Sequence, residues 1–217
     1  MSVVSLRQAV VLLGQFPALA GVDLDVAAGE AVLLQGPNGA GKSTLLRLCA
    51  GLHQLDSGSG TVLGYALSTD RRALRRRVAF VGHQTMLYDD LTVAENLQFW
   101  GRAARVDDDE IEAGARRLGI EERLRGVAVR RLSAGQRRRV ALAIAAARRP
   151  QLWLLDEPHA GLDQAGRDIV DELIDNATTA GATVLVASHE LERVRPVVGR
   201  QLTIAGGMVL ACAETAP

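Results

Sequence analysis

Lysine is nearly missing from this sequence. Of its 25 Lys and Arg side chains only Lys42 is a lysine. Net charge is missing too, because 25 acidic residues balance the bases, and this removes the electrostatic case for a nucleic-acid or membrane-surface partner. No apolar run reaches the roughly 18 residues of a membrane span. The opening stretch "SVVSLRQAVVLL" lacks a basic leader and a cleavage pattern, and Arg7 interrupts it, so it does not read as a signal peptide. Two cysteines, Cys49 and Cys212, suggest no disulfide framework, and Cys49 reads as a buried helix residue. There is no long repeat and no low-complexity linker. The chain reads as cytosolic, one domain with an appended lobe, and 217 residues suffice for a substantial core.

The one lysine stands in "GPNGAGKST", residues 36–44. Gly36, Gly41, Lys42 and Ser43 match G-x-x-x-x-G-K-[ST], a pattern expected by chance in roughly one chain of this length in a hundred. "AVLLQG" before it is a short apolar run, as for a buried parallel strand, and "KSTLLRLCAGL" after it reads as a helix. A strand, a Gly-rich turn and a helix N-terminus aim several backbone N–H groups at one point, with the helix dipole behind them. That is an anion site. Lys42 adds a compact charge for terminal phosphates, where the wide planar fork of arginine would not fit. Ser43 can ligate Mg²⁺. The segment is a Walker A loop for a nucleoside triphosphate.

The rest of the pattern predicts a parallel α/β core. Strands are expected at 21–26, 31–36, 61–64, 78–82, 151–156 and 183–188, a helix at about 164–180, and a hairpin over 200–211 turning at Gly206-Gly207. From about 90 to 149 the pattern is helical and suggests an inserted lobe. The arginine runs 71–77 and 137–139 read as solvated faces or ion pairs, and Trp100 and Trp153 as packing residues.

Two further segments carry chemistry. "QLWLLDEP" puts Asp156 and Glu157 at the end of an apolar strand, where ligands of parallel sheets sit. Asp156 can hold Mg²⁺, and Glu157 can polarise a water for in-line attack. "ASHE" places His189 at the end of another such strand, beside those carboxylates, as a phosphate sensor.

"LSAGQRRRVALA" (132–143) resembles the signature of the ABC ATPase family, and the resemblance covers essentially the whole chain. It takes in the Walker A residues Gly36, Pro37, Asn38, Gly39, Ala40, Gly41, Lys42, Ser43 and Thr44, then Gln84 of "FVGHQ", the signature, "LLDEP", "AGLD" ending in Asp163, and His189. The resemblance implies a P-loop NTPase of RecA-like type: a parallel-sheet core (1–84 and 150–217), N-terminal antiparallel strands and an inserted α-helical subdomain (85–149). It implies ATP and Mg²⁺ as ligands. Ser133 and Gly135 would bind the γ-phosphate of ATP on a second copy of the chain, giving a head-to-tail sandwich homodimer. Gln84 would touch Mg²⁺ and the water, and Asp163 would align the half-sites. Ala134 departs from the usual glycine. No aromatic matches the adenine-stacking position; Leu13 stands near it and Phe16 is the nearest aromatic.

A single such domain without a membrane span implies a subunit that works with integral-membrane transporter subunits at the cytoplasmic face of the inner membrane. "GHQ", "LTVAENLQF" and "LSAGQ" are most similar to the haem-exporter ATP-binding subunits of cytochrome c biogenesis. An exporter ATPase for another substrate, or a soluble ATPase acting on nucleic acid or ribosomes, is the alternative. Stimulation by DNA or RNA would mark the latter. His53 and His83 are not expected to bind haem.

Overall fold

Alternating apolar residues fold positions 2–27 into an antiparallel ribbon. In the computed structural model, which describes residues 2–214, β1 (Ser2–Leu13) pairs with β2 (Phe16–Ala27). The elements that follow are β3 (Ala31–Gln35), α1 (Lys42–Cys49), β4 (Ser57–Val62), β5 (Tyr65–Ala66), α2 (Arg71–Leu74) and β6 (Val78–Val81). Next come α3 (Val93–Ala104), α4 (Asp108–Arg117), α5 (Ala134–Ala147), β7 (Leu152–Asp156), α6 (Gln164–Thr179), β8 (Thr183–Ala187), α7 (Leu191–Val194), β9 (Arg200–Ala205) and β10 (Met208–Glu214).

Two sheets result. The smaller is antiparallel, in the order β2-β1-β4-β5. The larger runs β10-β9-β3-β8-β7-β6, parallel from β9 to β6 with β10 antiparallel on its edge. The pleat divides β3 between two cores: Leu33 faces α3, α4, α5 and α6, while Val32 and Leu34 face α1 and the smaller sheet. Both faces of β3, β7 and β8 are covered, so these strands carry no polar alternation. Helix α5 is buried nearly all round from Val140 to Ala147 because α3, α4, α6 and β6 surround it.

The strand expected at 21–26 runs from Phe16 to Ala27, because the whole segment pairs with β1. The strand expected at 61–64 starts at Ser57 and ends at Val62, because Leu63 (φ 51°) and Gly64 turn the chain into β5. β1 extends the antiparallel part to Ser2, with a register shift between Leu6 and Ala9 that moves the inward set from Val4 and Leu6 to Ala9 and Val11. Cys49 is a free, fully buried thiol, and burial pushes its pKa up to about 12. The Cys212 side chain lies outside the described residues. Arg72, Arg75, Arg76 and Arg77 are exposed, Trp153 is buried, and Trp100 packs partly buried on the same core, as expected. No helix among the described residues is long and apolar enough to cross a membrane.

Candidate functional site

Loops leaving the carboxyl ends of β3, β7 and β8 meet in one cleft of about 280 Å³. Asn38, Gly39, Ala40, Gly41, Lys42, Ser43 and Thr44 line it from one side; Asp156, Glu157 and His189 line it from the other. The glycines at both ends of the loop are steric requirements. Gly36 (φ 146°) packs so closely that a Cβ would lie 2.0 Å from the Ile204 carbonyl oxygen. At Gly41 (φ 110°), the N-cap of α1, a Cβ would lie 2.6 Å from the Ala18 carbonyl. The β9–β10 turn braces the loop from behind, with the Gly207 N–H donating to the Ala40 carbonyl at 3.0 Å. Lys42 is buried. Its ammonium donates to the carbonyls of Gly36 (2.6 Å) and Pro37 (3.0 Å), so the loop presets the position of the charge.

Asp156 is buried at the tip of β7, and its carboxylate has no hydrogen-bond partner among the described residues. Glu157 is one of the few non-glycine residues in the left-handed region, with φ 50°. A single such residue costs about 1–3 kcal/mol, and strain of this kind concentrates at functional positions. The twist is held by the Glu157 N–H donating to the Ala187 carbonyl at 2.8 Å. It turns Glu157 toward the end of β8, where its carboxylate accepts the His189 N–H at 3.2 Å and lies 3.4 Å from His189 Nε2.

The other expected residues lie elsewhere. Ser133, Gly135 and Asp163 line a second cleft of about 280 Å³, which shares no lining residue with the first. Ser133 caps α5 in a capping box with Gln136: the Gln136 N–H donates to Ser133 Oγ at 3.2 Å, and the Ser133 N–H to Gln136 Oε1 at 2.9 Å. The S-x-x-Q spacing carries that signal in the sequence. Asp163 caps α6 by accepting the Gly166 N–H at 2.9 Å, and with Arg139 2.5 Å away its carboxyl is held below its ordinary pKa. Ala134 is accommodated because it faces Gly161, where even a Cβ would come no nearer to it than 3.4 Å. Gln84 is exposed after β6 and lines neither cleft. Of the two residues near the adenine-stacking position, Leu13 lines the first cleft; Phe16 is 80 % exposed and does not.

Two residues beside the site carry no sequence signal of their role. His159 is buried; its Nε2 lies 2.9 Å from Asp171 and its Nδ1 has no partner. The arginine triplet 137–139 is the larger correction. Arg137 and Arg139 form ion pairs, with Asp89 and Asp163. Arg138 is instead 4 % exposed, donates to the Gly82 carbonyl at 2.6 Å, and forms no ion pair among the described residues. Burial pulls its pKa down, and the nearby carboxylates of Asp156 and Glu157 push it up.

A family model described as "ABC transporter" matches residues 19–160. The chain belongs to that family. It is the ATP-binding subunit of an ABC transporter and hydrolyses ATP in step with transport. It is 42% identical over 193 residues to the cytochrome c biogenesis ATP-binding export protein CcmA of Xanthomonas campestris pv. campestris, covering 87% of each chain. The protein of the same name from Cupriavidus pinatubonensis is 37% identical over 199 residues, covering 91% of this chain and 86% of that one. The Nod factor export ATP-binding protein I of Rhizobium meliloti is 37% identical over 201 residues, 91% of this chain and 60% of that protein. Among solved structures, an ATP-binding subunit of an ABC transporter superposes on 98% of this ABC ATPase and 90% of its own chain, with TM-score 0.89 and 26% identity. A dimeric ATP-binding cassette in a post-hydrolysis state, bound to ADP and Pi, covers 99% of both chains with TM-score 0.86 and 27% identity.

Proposed function

We propose that this chain is the ATP-hydrolysing subunit of the haem exporter of cytochrome c maturation. The reading is carried by the cytochrome c biogenesis relatives, up to 42% identical over 87% of the chain. The Nod factor export relative supports the wider reading of an exporter for another substrate. In the proposed arrangement residues 1–217 form one ABC ATPase domain, with 1–84 and 150–217 as catalytic core and 85–149 as helical subdomain. The chain sits peripherally at the cytoplasmic face of the inner membrane on integral-membrane subunits, with no nucleic-acid partner.

ATP occupies the first cleft. The loop N–H groups of Gly36 to Thr44 and the preset Lys42 ammonium take its phosphates. The Ser43 hydroxyl and the unpartnered Asp156 carboxylate are hard oxygen donors on the same cleft, which fits Mg²⁺; Gln84 lies outside the cleft and would donate only after its segment moved in. Among the described residues no three His, Cys, Asp or Glu side chains cluster to hold a metal; a Mg²⁺ held by Ser43 and Asp156 would take its other ligands from phosphate and water. When bound, the cation neutralises phosphate charge. Glu157 takes the proton of the attacking water, and His189, tied to it, contacts the γ-phosphate. Ser133 and Gly135 stand in a separate cleft, so in this reading they serve the ATP of a second copy, with Asp163 aligning the two half-sites. The dimeric cassette relatives support that reading. Deletion of the gene tests the cargo: haem-stained c-type cytochromes should disappear, and a normal profile would refute the haem-export reading while leaving the ATPase intact.

A further inference from the structure

Helix α5 carries the signature residues in its first turn and the three arginines in its second. The guanidinium groups fan out to three different loops. Arg137 bonds to Asp89 (3.1 Å) and to the Arg130 carbonyl (3.0 Å), at the far end of the segment that begins with Gln84. Arg139 bonds to Asp163. Arg138 passes inward, donates to the carbonyl of Gly82 two residues before Gln84, and is a buried cation that feels the charges of Asp156 and Glu157. Gly82 runs close to the Phe80 ring, where a Cβ would stand 2.7 Å from the ring edge, so the segment passes there only as glycine.

A buried cation without an ion pair is costly unless the surroundings offset it. Here the offset comes from one carbonyl dipole and the field of two site carboxylates. The position of α5 and the electrostatics of the β7 tip are therefore linked. A helix is stiff over two turns, so a shift of Ser133 and Gly135 moves Arg138 as well.

We propose that Arg138 is a positioning residue for ATP hydrolysis. It ties the arrangement of Asp156, Glu157 and the Gly82–Gln84 segment in its own chain to engagement of its signature turn by nucleotide on a second copy. The proposal rests on the head-to-tail sandwich described above. Arg138 touches neither ATP nor water. It lets the γ-phosphate bound by one end of α5 set the geometry of the other chain-internal site, so the two ATPs hydrolyse cooperatively.

The test uses the full chain with Arg138→Met, which removes the charge at similar length, and Arg138→Lys, which keeps it. ATPase rate is measured against ATP concentration, nucleotide affinity by titration with a fluorescent ATP analogue, and Mg-ATP-dependent dimerisation by light scattering in a Glu157→Gln background. Arg138→Met should lower kcat by about 10²-fold, the cost of misplacing reacting groups by about 1 Å. Affinity should not change, dimers should still form, and the sigmoidal ATP dependence should flatten. Arg138→Lys should restore part of the rate and of the sigmoidal shape. Unchanged kcat and curvature in Arg138→Met overturns the proposal. So does loss of rate and affinity together without rescue by lysine, which marks a purely structural role. If Arg138→Met does not fold, Arg138→Gln takes its place: it removes the charge but keeps a donor for the Gly82 carbonyl, and wild-type kcat and curvature in it overturn the proposal. Absence of dimers in Glu157→Gln alone refutes the sandwich reading separately.

Discussion

The contact between the signature turn and the Asp163 loop is tight enough to be broken by one methyl group. A Cβ at Gly135 would stand 2.5 Å from the Gly161 carbonyl oxygen, 3.4 Å from the Gly161 carbonyl carbon and 3.5 Å from Leu162 Cδ2. Ordinary contact begins at 3.4 Å, so Gly135→Ala forces a separation of 0.9 Å (3.4 − 2.5). The obstructing atom is backbone, and Gly161 itself sits at φ 76°, so no side chain can swing away. Overpacking of this kind costs about 1–3 kcal/mol. For a domain of this size that lowers Tm by roughly 2–12 °C, and a domain stable by about 5–15 kcal/mol stays folded. The catalytic cost is larger in proportion. The displacement separates Ser133 from Asp163 and strains the Arg139–Asp163 pair, and about 1 Å of misplacement costs about 10²-fold in rate, or roughly 2.7 kcal/mol of barrier. Affinity of the monomer for ATP should not move, because Lys42 and Ser43 line the other cleft. Steady-state ATPase assays, a thermal melt and nucleotide titration on one preparation measure all three. A folded Gly135→Ala protein with wild-type kcat would show that the two turns need no fixed register.

Three further outcomes are expected. Lys42→Ala should abolish nucleotide binding or hydrolysis without unfolding the chain, and Lys42→Arg should also be poor because the wide planar fork does not fit the cradle in which the ammonium meets the Gly36 and Pro37 carbonyls; ATPase assays with circular dichroism check this, and activity within about tenfold of wild type, roughly 1.4 kcal/mol, would contradict it. Glu157→Gln keeps the acceptor for the His189 N–H but loses the base, so kcat should fall by about 10²–10⁴, while light scattering with Mg-ATP shows an accumulated dimer. Burial lowers the His159 pKa below its ordinary value of 6.5, against the opposing pull of Asp171. The unfolded chain therefore binds the proton more readily, so folding stability is full above pH 6.5 and falls as pH drops through the interval below it. Denaturant midpoints across that range should show the slope, and His159→Gln should reduce it.

The nucleotide cleft was legible because its strands are covered on both sides. "AVLLQ", "LWLLD" and "TVLVA" are almost wholly apolar, and the segment that follows each supplies residues of the cleft: Asn38 to Thr44 after the first, Glu157 after the second and His189 after the third. The smaller sheet was harder to read. Gln8 at φ 47° puts a bulge in the middle of β1, so the inward residues change phase, and β4, "SGSGTV", offers no apolar side chain before Val62. The three arginines defeat sequence reading for another reason. Consecutive helix residues point about 100° apart, so one letter repeated three times meets Asp89, the buried Gly82 carbonyl and Asp163 in turn. Only the surroundings of α5 show which of the three is buried. His159 is silent in the same way, because its partner Asp171 is set by the docking of α6.

Strand β3, which leads into the nucleotide loop, has both of its sheet neighbours near the other end of the chain: β8 at 183–187 and β9 at 200–205. During synthesis it must wait 170 residues (205 − 35) for its second partner. At about 5–20 residues per second that is roughly 10–35 s on the ribosome. Through that interval an apolar segment, both of whose faces are destined for burial, has unpaired backbone on both edges, and the Gly36 turn lacks the Ile204 carbonyl it packs against. The nucleotide loop of such a chain therefore gains its full support only once β9 has emerged, and until then the early ribbon of β1 and β2 is the structure available to shelter one face of β3.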